Sequence, residues 1–421
     1  MFKKTIFALA LGYCLVGVAQ EASDLAEKPG DAEVEVKVVD VDKELGKIRR
    51  KVRKAGYTAV ATNDIGANPT TRDYVINRRI AFDQADFKAK QAIAKNLVQT
   101  ISSKMSSNEV ASHGGLQASD VENDPALAET INKEIEKELK SMGVDLNDKA
   151  AVAKAMPKLK GKESFQKQIT IASQAYLVGV SVYASASSKD KVGVLAYSSK
   201  TLRDIAAGMV NGNIPKYAPG MSVDDYFETV EDQLANTYGV RVMIDENGEP
   251  CLIAFAQREI LSSESSAKEN AGDAASAMIR EFVGTAVMLK KSEESGRTLA
   301  YMEPVDATDN KAVATAFAKV TAEAKAEAEA IDFSGIEEFD SGIIRLPSGD
   351  KLAWAVKYWT PRAAAAATQA NAQSEQQRVN LKAKGVGNFK PAKPAAKPAA
   401  KPSKRRNAGA DGVSGGTLPI L

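Results

Sequence analysis

One pattern, met twice in the same order, constrains this chain more than any single motif does. In its first appearance Asp73-Tyr74-Val75-Ile76 reads as a short strand. A helix of roughly twenty residues is then predicted from Asp83, because Ala85, Ala89, Ile93, Leu97 and Ile101 fall on one stripe. A further helix carries Leu127, Ile131, Ile135 and Leu139, and two β-rich runs close the unit, Tyr176 to Tyr183 and Val192 to Tyr197. The polar Ser187-Ser188-Lys189-Asp190 between them predicts a hairpin turn. The second appearance opens with Val240-Arg241-Val242-Met243-Ile244, the turn signal Asn247-Gly248 and a partner strand from Cys251 to Ile260. A long helix is predicted from near Ser262, with Ala274, Ala277, Met278, Phe282 and Ala286 on its apolar face. An Ala/Glu/Lys-rich helix over 311–330 follows, expected to be partly exposed because large apolar residues are scarce in it. Gly342 to Leu346, the turn Pro347-Ser348-Gly349-Asp350 and Leu352 to Trp359 complete the copy.

Short echoes accompany the order. Ala94-Lys95-Asn96-Leu97-Val98 stands against Ile279-Arg280-Glu281-Phe282-Val283, and Asp190-Lys191-Val192 against Asp350-Lys351-Leu352. A sheet with one face covered by a long helix buries both stripes. The fold class read from the chain is therefore α+β: two related units, each a small antiparallel sheet covered by a long helix, followed by a disordered basic tail.

The ends differ from the middle. Lys3 and Lys4 precede an apolar run from Thr5 to Val18, and Gly17-Val18-Ala19 has the small-x-small form of a cleavage site, so residues 1–19 read as a secretory signal peptide. Leu11-Gly12-Tyr13-Cys14 makes a poor lipidation site, with bulky Tyr13 where a small residue is wanted. Residues 20–55 read as a flexible segment, a short strand at Val34, Val36 and Val38, and a helix with Leu45, Ile48 and Val52 on one face. Arg49, Arg50, Lys51, Arg53 and Lys54 crowd the rest of that helix, as on a solvated face or one that meets an anionic surface. The first unit is assigned to 56–220, the second to 221–362 and an Ala-rich helix to 363–377. Residues 378–421 are expected to be disordered, since the Lys/Pro/Ala tract from Lys390 to Pro402 favours an extended chain. Lys390, Lys393, Lys397, Lys401, Lys404, Arg405 and Arg406 are its candidate polyanion contacts.

Several chemistries lack their residues. Removing the leader takes Cys14 with it and leaves Cys251 alone in an apolar run, which excludes an internal disulfide and reads as a small buried hydrophobe. The lone histidine, His113, sits in the loop Ser112-His113-Gly114-Gly115, a poor frame for a catalytic imidazole or a zinc site. No P-loop or Gly-x-Gly-x-x-Gly occurs. Carboxylates remain for glycan cleavage: Asp224-Asp225 at a helix start, and Glu337, Glu338 and Asp340 approaching a strand. Trp354 and Trp359 are expected to pack the last strand rather than a sugar. No catalytic, cofactor or metal residue is assigned.

Asn77-Arg78-Arg79-Ile80-Ala81 with Ala85, Ala89 and Ala92, then Ala267, Ala271, Ala274 and Ala277 with Gly342 and Trp354, resembles the lipoprotein-20 family and the N-terminal domain of flagellar assembly protein T. That resemblance implies a non-enzymatic envelope component and supplies no catalytic residues. The expected function is a periplasmic or secreted protein with a structural or binding role. Its partners would be other envelope proteins or anionic envelope polymers, with nucleic acid and a transmembrane segment after signal cleavage not expected. The alternatives are a carboxylate-based hydrolase of wall or glycan polymers and a polyanion-binding module that uses the tail.

Overall fold

A computed structural model describes residues 39–71, 73–105, 115–121, 125–295, 309–329, 334–346, 349–383 and 412–415. Two four-stranded antiparallel sheets organise them. The first has the order β1-β3-β2-β8, from β1 (Tyr57–Asp64), β2 (Ser181–Ser187), β3 (Lys191–Ser198) and β8 (Gly412–Gly415). The second has the order β4-β5-β7-β6, from β4 (Gly239–Ile244), β5 (Pro250–Glu259), β6 (Glu337–Arg345) and β7 (Lys351–Trp359). Three strands of each follow one scheme. A first strand leads into a long helix, and a hairpin returns so that its second strand pairs with that first strand: β1-β3-β2 and β5-β7-β6. The hairpin's leading strand is bulged at the same point in both, between Val182 and Ala184 and between Glu338 and Asp340. The protein is α+β with two units of one topology; they differ in where the fourth strand adds, β8 against β2 and β4 against β5.

The predicted strand at Tyr74–Ile76 is instead the first turn of α2 (Tyr74–Lys104). Burial of Tyr74, Val75, Arg78, Ala81, Phe82 and Ala85 at helical spacing overrides the β preference of a short Tyr-Val-Ile run. The strand that opens the first unit is β1, whose Tyr-Thr-Ala-Val-Ala-Thr-Asn-Asp sequence shows no alternation because Tyr57, Thr58 and Ala59 are buried in succession. Three hairpins form at the predicted turns: the Ser188 N–H donates to Lys191 O at 2.7 Å, the Asp245 N–H to Glu249 O at 2.8 Å and the Leu346 N–H to Asp350 O at 2.8 Å. Gly248, at φ +75°, supplies the left-handed residue of the second.

The first sheet lies between two helices. α1 (Val41–Val52) is capped by Asp40, whose carboxylate accepts from the Lys43 N–H at 3.0 Å, and it buries Val41, Leu45 and Val52. It can lie this close because Gly193 faces it: a Cβ there would stand 2.6 Å from Leu45 Cδ1. The other face of β3 carries Ala196, which packs with Ala89 and Ile93 of α2. The C-terminal half of α2 enters a second core with α3 (Pro125–Ser141), α4 (Lys149–Lys160) and α5 (Glu163–Gln174), through Leu97, Ile101, Ile131, Ile135, Leu159 and Phe165. Only α3 of those three helices carries a predicted stripe; α4 is Lys-rich, and α5 buries Phe165 and Ile169 at helical spacing. The run from Tyr176 is strand only from Ser181, since Ala175–Leu177 forms a 3₁₀ turn.

α6 (Lys200–Asn211) follows β3, and α7 (Val223–Val230) precedes β4. The second sheet is covered by α8 (Glu264–Ser295), with Ala271, Ala275, Ile279 and Val283 buried. α9 (Asn310–Glu329) crosses α8 at Gly284, where a Cβ would lie 2.1 Å from Ala324 O. α9 buries Val320, Ala324 and Ala328 and is mostly exposed elsewhere, in keeping with its Ala/Glu/Lys sequence. α10 (Pro361–Ala383) starts earlier and runs further than the helix predicted over 363–377.

The expectation of disorder to the C-terminus fails at residues 412–415. There β8 pairs with β2 and buries Ser414, because the edge of β2 offers a ladder that short, small residues can reach. The leader, the strand expected at Val34, Val36 and Val38, His113 and the Lys390–Arg406 contacts lie outside the described residues.

Candidate functional site

Two buried arginines tie the units together. Arg78 of α2, 1% exposed, donates to Gln257 Oε1 of β5 at 2.7 Å, to Ser187 Oγ of β2 at 2.9 Å and to Ala235 O. Its guanidinium also lies 4.9 Å from the Phe82 ring centroid. Arg241 of β4 donates to Tyr183 O, to Ser185 Oγ at 3.0 Å and to Ser414 O at 3.4 Å. Burial lowers its pKa, since no carboxylate meets it. Beside them Lys90 bridges Asp86 at 2.8 Å and Glu281 of α8 at 2.7 Å. Burial opposes the Lys90 charge, but the two carboxylates outweigh it and raise its pKa. Burial raises Asp86 and Asp83, the latter against a hydrogen bond from the Tyr238 hydroxyl. This seam positions the units, and its residues carry no signal in the sequence because most of their partners stand more than fifty positions away.

The basic helix makes a cleft. Arg49, Arg53 and Lys54, at the end of α1 and just beyond it, line a volume of about 640 Å³ with Gly56, Tyr57 and Thr58 at the start of β1 and Ile93 and Asn96 of α2. No acidic side chain is among these lining residues. Arg49 donates to Thr58 Oγ1 at 3.3 Å. Arg53 and Lys54 are exposed and have no ion pair or side-chain hydrogen bond among the described residues. Basic residues in a last helical turn complement the helix dipole, which accounts for Arg49, Arg50 and Lys51. Arg53 and Lys54 lie past the helical turns, where that explanation weakens.

The candidate carboxylates divide. Asp224, in the first turn of α7 behind the Ser222 cap, and Glu337 of β6 line one cleft of about 400 Å³ with Asp245, Phe339, Tyr358 and Arg362. The Tyr358 hydroxyl donates to Glu337 Oε2 at 2.8 Å, and burial first, then Glu337, raises the phenol pKa. Asp225 and Glu338 are not among the lining residues. Glu338 is held by Lys357 at 2.8 Å, and that hydrogen bond lowers its pKa. Asp340 is shifted up by burial. Glu337, Glu338 and Asp340 stand within β6 rather than before it.

Cys251 is fully buried, and burial pushes its thiol up, away from nucleophilic use. Trp354 and Trp359 both lie on β7 and pack inward. Among the described residues no group of three or more His, Cys, Asp and Glu could hold a metal ion, and no helix is long and apolar enough to cross a membrane.

No protein-family model matches this chain, and no curated protein does. Among solved structures it is similar to the crystal structure of the hypothetical protein FTT1539c from Francisella tularensis. The identity is 18% and the TM-score 0.44, over 75% of this chain and 86% of that one.

Proposed function

We propose that this chain is a non-enzymatic, exported envelope protein with a binding role, and that it meets an anionic envelope polymer at the cleft formed by α1, β1 and α2. The observation that carries this reading is the pair Arg53 and Lys54, cations without a protein counter-charge among the described residues, bordering a concave surface with Arg49. Clustered like charges repel one another, and an external polyanion relieves that repulsion. The basic-then-apolar leader at residues 1–19 and the Lys390–Arg406 tract agree with export and with an anionic partner.

The test is retention of the full chain on immobilised lipopolysaccharide as the anionic polymer, across a salt series. Charge reversal at Arg49, Arg53 and Lys54 is expected to abolish retention, and retention of the unaltered chain is expected to fall steeply with salt. Retention unchanged by the reversal but lost on deleting residues 382–406 would move the site to the tail. Full-length polypeptide with Met1 attached, found in the cell interior on fractionation, would end the export reading.

One observation favours a second reading, hydrolysis of glycan polymers: Asp224 and Glu337 share a cleft with Phe339 and Tyr358. Polymer turnover lost in Asp224→Asn and Glu337→Gln would establish it, whereas no turnover by the unaltered chain rejects it.

A further inference from the structure

Between the units lies a third cleft, of about 490 Å³, lined by both apolar and charged side chains. Its walls are apolar and mostly small: Ile80 of α2, Ala274, Ala277 and Met278 of α8, and Phe317 and Ala318 of α9. Small side chains on two facing helices leave a channel there. The volume falls within the usual range for pockets that bury a small molecule, roughly 300–1,000 Å³.

The charged side chains at the cleft are unequally occupied. Arg79 is paired with Asp83 at 3.3 Å and with Glu259 at 3.1 Å. Glu281 accepts from Lys90 at 2.7 Å and from Thr321 at 3.3 Å, and Asp83 accepts from Tyr238. Both carboxylates at the cleft are thus committed to protein donors. Arg258 of β5 makes no such close pair, although its charge acts on the Asp83 carboxylate across the cleft. Its one hydrogen bond runs from Nη1 to the carbonyl of neighbouring Gln257 at 2.8 Å, and no carboxylate stands within ion-pair distance among the described residues. It is half-buried, so its remaining donors are only partly served by solvent. Lys325, also at the cleft, has only a long contact of 3.9 Å to Glu329. The cleft therefore combines an apolar lining with two cations, Arg258 and Lys325, that no close ion pair holds among the described residues.

We infer that this interunit cleft binds a single-chain amphiphile, its apolar tail between α8 and α9 and its anionic head on Arg258. A guanidinium with open donors accepts a carboxylate or a phosphate through paired hydrogen bonds, so the two heads share one chemistry. A cationic head meets Arg258 and Lys325 with like charge. A free inorganic anion forgoes the apolar contacts.

Isothermal titration calorimetry of the full chain tests this, with dodecanoate, dodecyl phosphate, dodecyltrimethylammonium and inorganic phosphate, each below micelle formation. Saturable binding of one dodecanoate or one dodecyl phosphate per chain is expected, and the stronger of the two names the head group. The cationic amphiphile and inorganic phosphate are expected not to saturate the site. Arg258→Gln should weaken the anionic amphiphile about tenfold or more, while Arg258→Lys retains part of the affinity. Ala277→Trp should block the channel, with circular dichroism confirming the fold; Ala318→Met narrows the opposite wall if the first variant does not fold. Equal affinity for anionic and cationic amphiphiles, an unchanged Arg258→Gln variant, or no saturable binding of either anion overturns the inference. Arg258→Gln should leave lipopolysaccharide retention at the α1 cleft unaltered, so the two sites fail or stand separately.

Discussion

Replacing Arg78 by methionine is the most direct probe of what holds the two units together. The side chain makes three hydrogen bonds into β2, β5 and the 3₁₀ turn before β4. Hydrogen bonds from a charged donor contribute about 1.5–3 kcal/mol each, so the gross loss is roughly 5–9 kcal/mol. Against that, releasing the guanidinium from burial offsets about several kcal/mol. Methionine keeps most of the volume but leaves Gln257 Oε1 without its donor. Gln257 cannot turn to compensate, because its Nε2 already donates to Leu234 O at 2.8 Å, Ala235 O at 2.9 Å and Thr237 O at 3.0 Å. The expected net loss is about 2–4 kcal/mol for Arg78→Met, and more for Arg78→Ala, which adds a cavity. Urea titration followed by far-ultraviolet circular dichroism and by tryptophan fluorescence measures it. Both tryptophans stand on β7, in the unit that does not contain Arg78. One apolar core nevertheless runs through both sheets, so both probes should shift together. A loss below about 1 kcal/mol, or a fluorescence transition that stays in place while the dichroism moves, refutes the argument.

Two further outcomes follow from the same seam and its edge. Burial raises the Asp86 pKa in the folded state, so between its ordinary and raised values the folded chain holds more protons than the unfolded one, and the Asp86 contribution to stability grows as pH falls. The stability of the unaltered chain minus that of Asp86→Asn should therefore increase from pH 7 to pH 5 in urea titrations; a constant or shrinking difference contradicts it. Deleting residues 411–421 removes β8, leaves Arg241 without the Ser414 carbonyl and bares the edge of β2. The expected result is a loss of about 1–3 kcal/mol and concentration-dependent self-association on size-exclusion chromatography, and a monomer of unchanged stability would refute it.

The sequence by itself determined the elements whose signals are local. The Asn247-Gly248 turn, the stripe of α2 beyond Asp83, the alanine face of α8 and the β2–β3 hairpin all follow from spacing and turn chemistry within a few residues. It also delivered the repeated order that makes the protein α+β, and the run of basic residues at the end of α1. The tertiary structure decided what depends on burial from a distance. Tyr74 to Ile76 has strand-like residues, yet it is helical because the core that takes it up is helical in spacing. Arg78 and Arg241 look in sequence like exposed cations, but serine hydroxyls, the Gln257 amide and backbone carbonyls from distant elements enclose them. Of the carboxylates singled out, only the fold separates Asp224 and Glu337 from Asp225 and Glu338. Arg258 is unremarkable in the chain, and only the fold leaves it without a close ion pair among the described residues while the Asp83 carboxylate of α2 accepts from Tyr238 and pairs with Arg79. Local periodicity records which face of an element is apolar; which charges remain unanswered is set by packing alone.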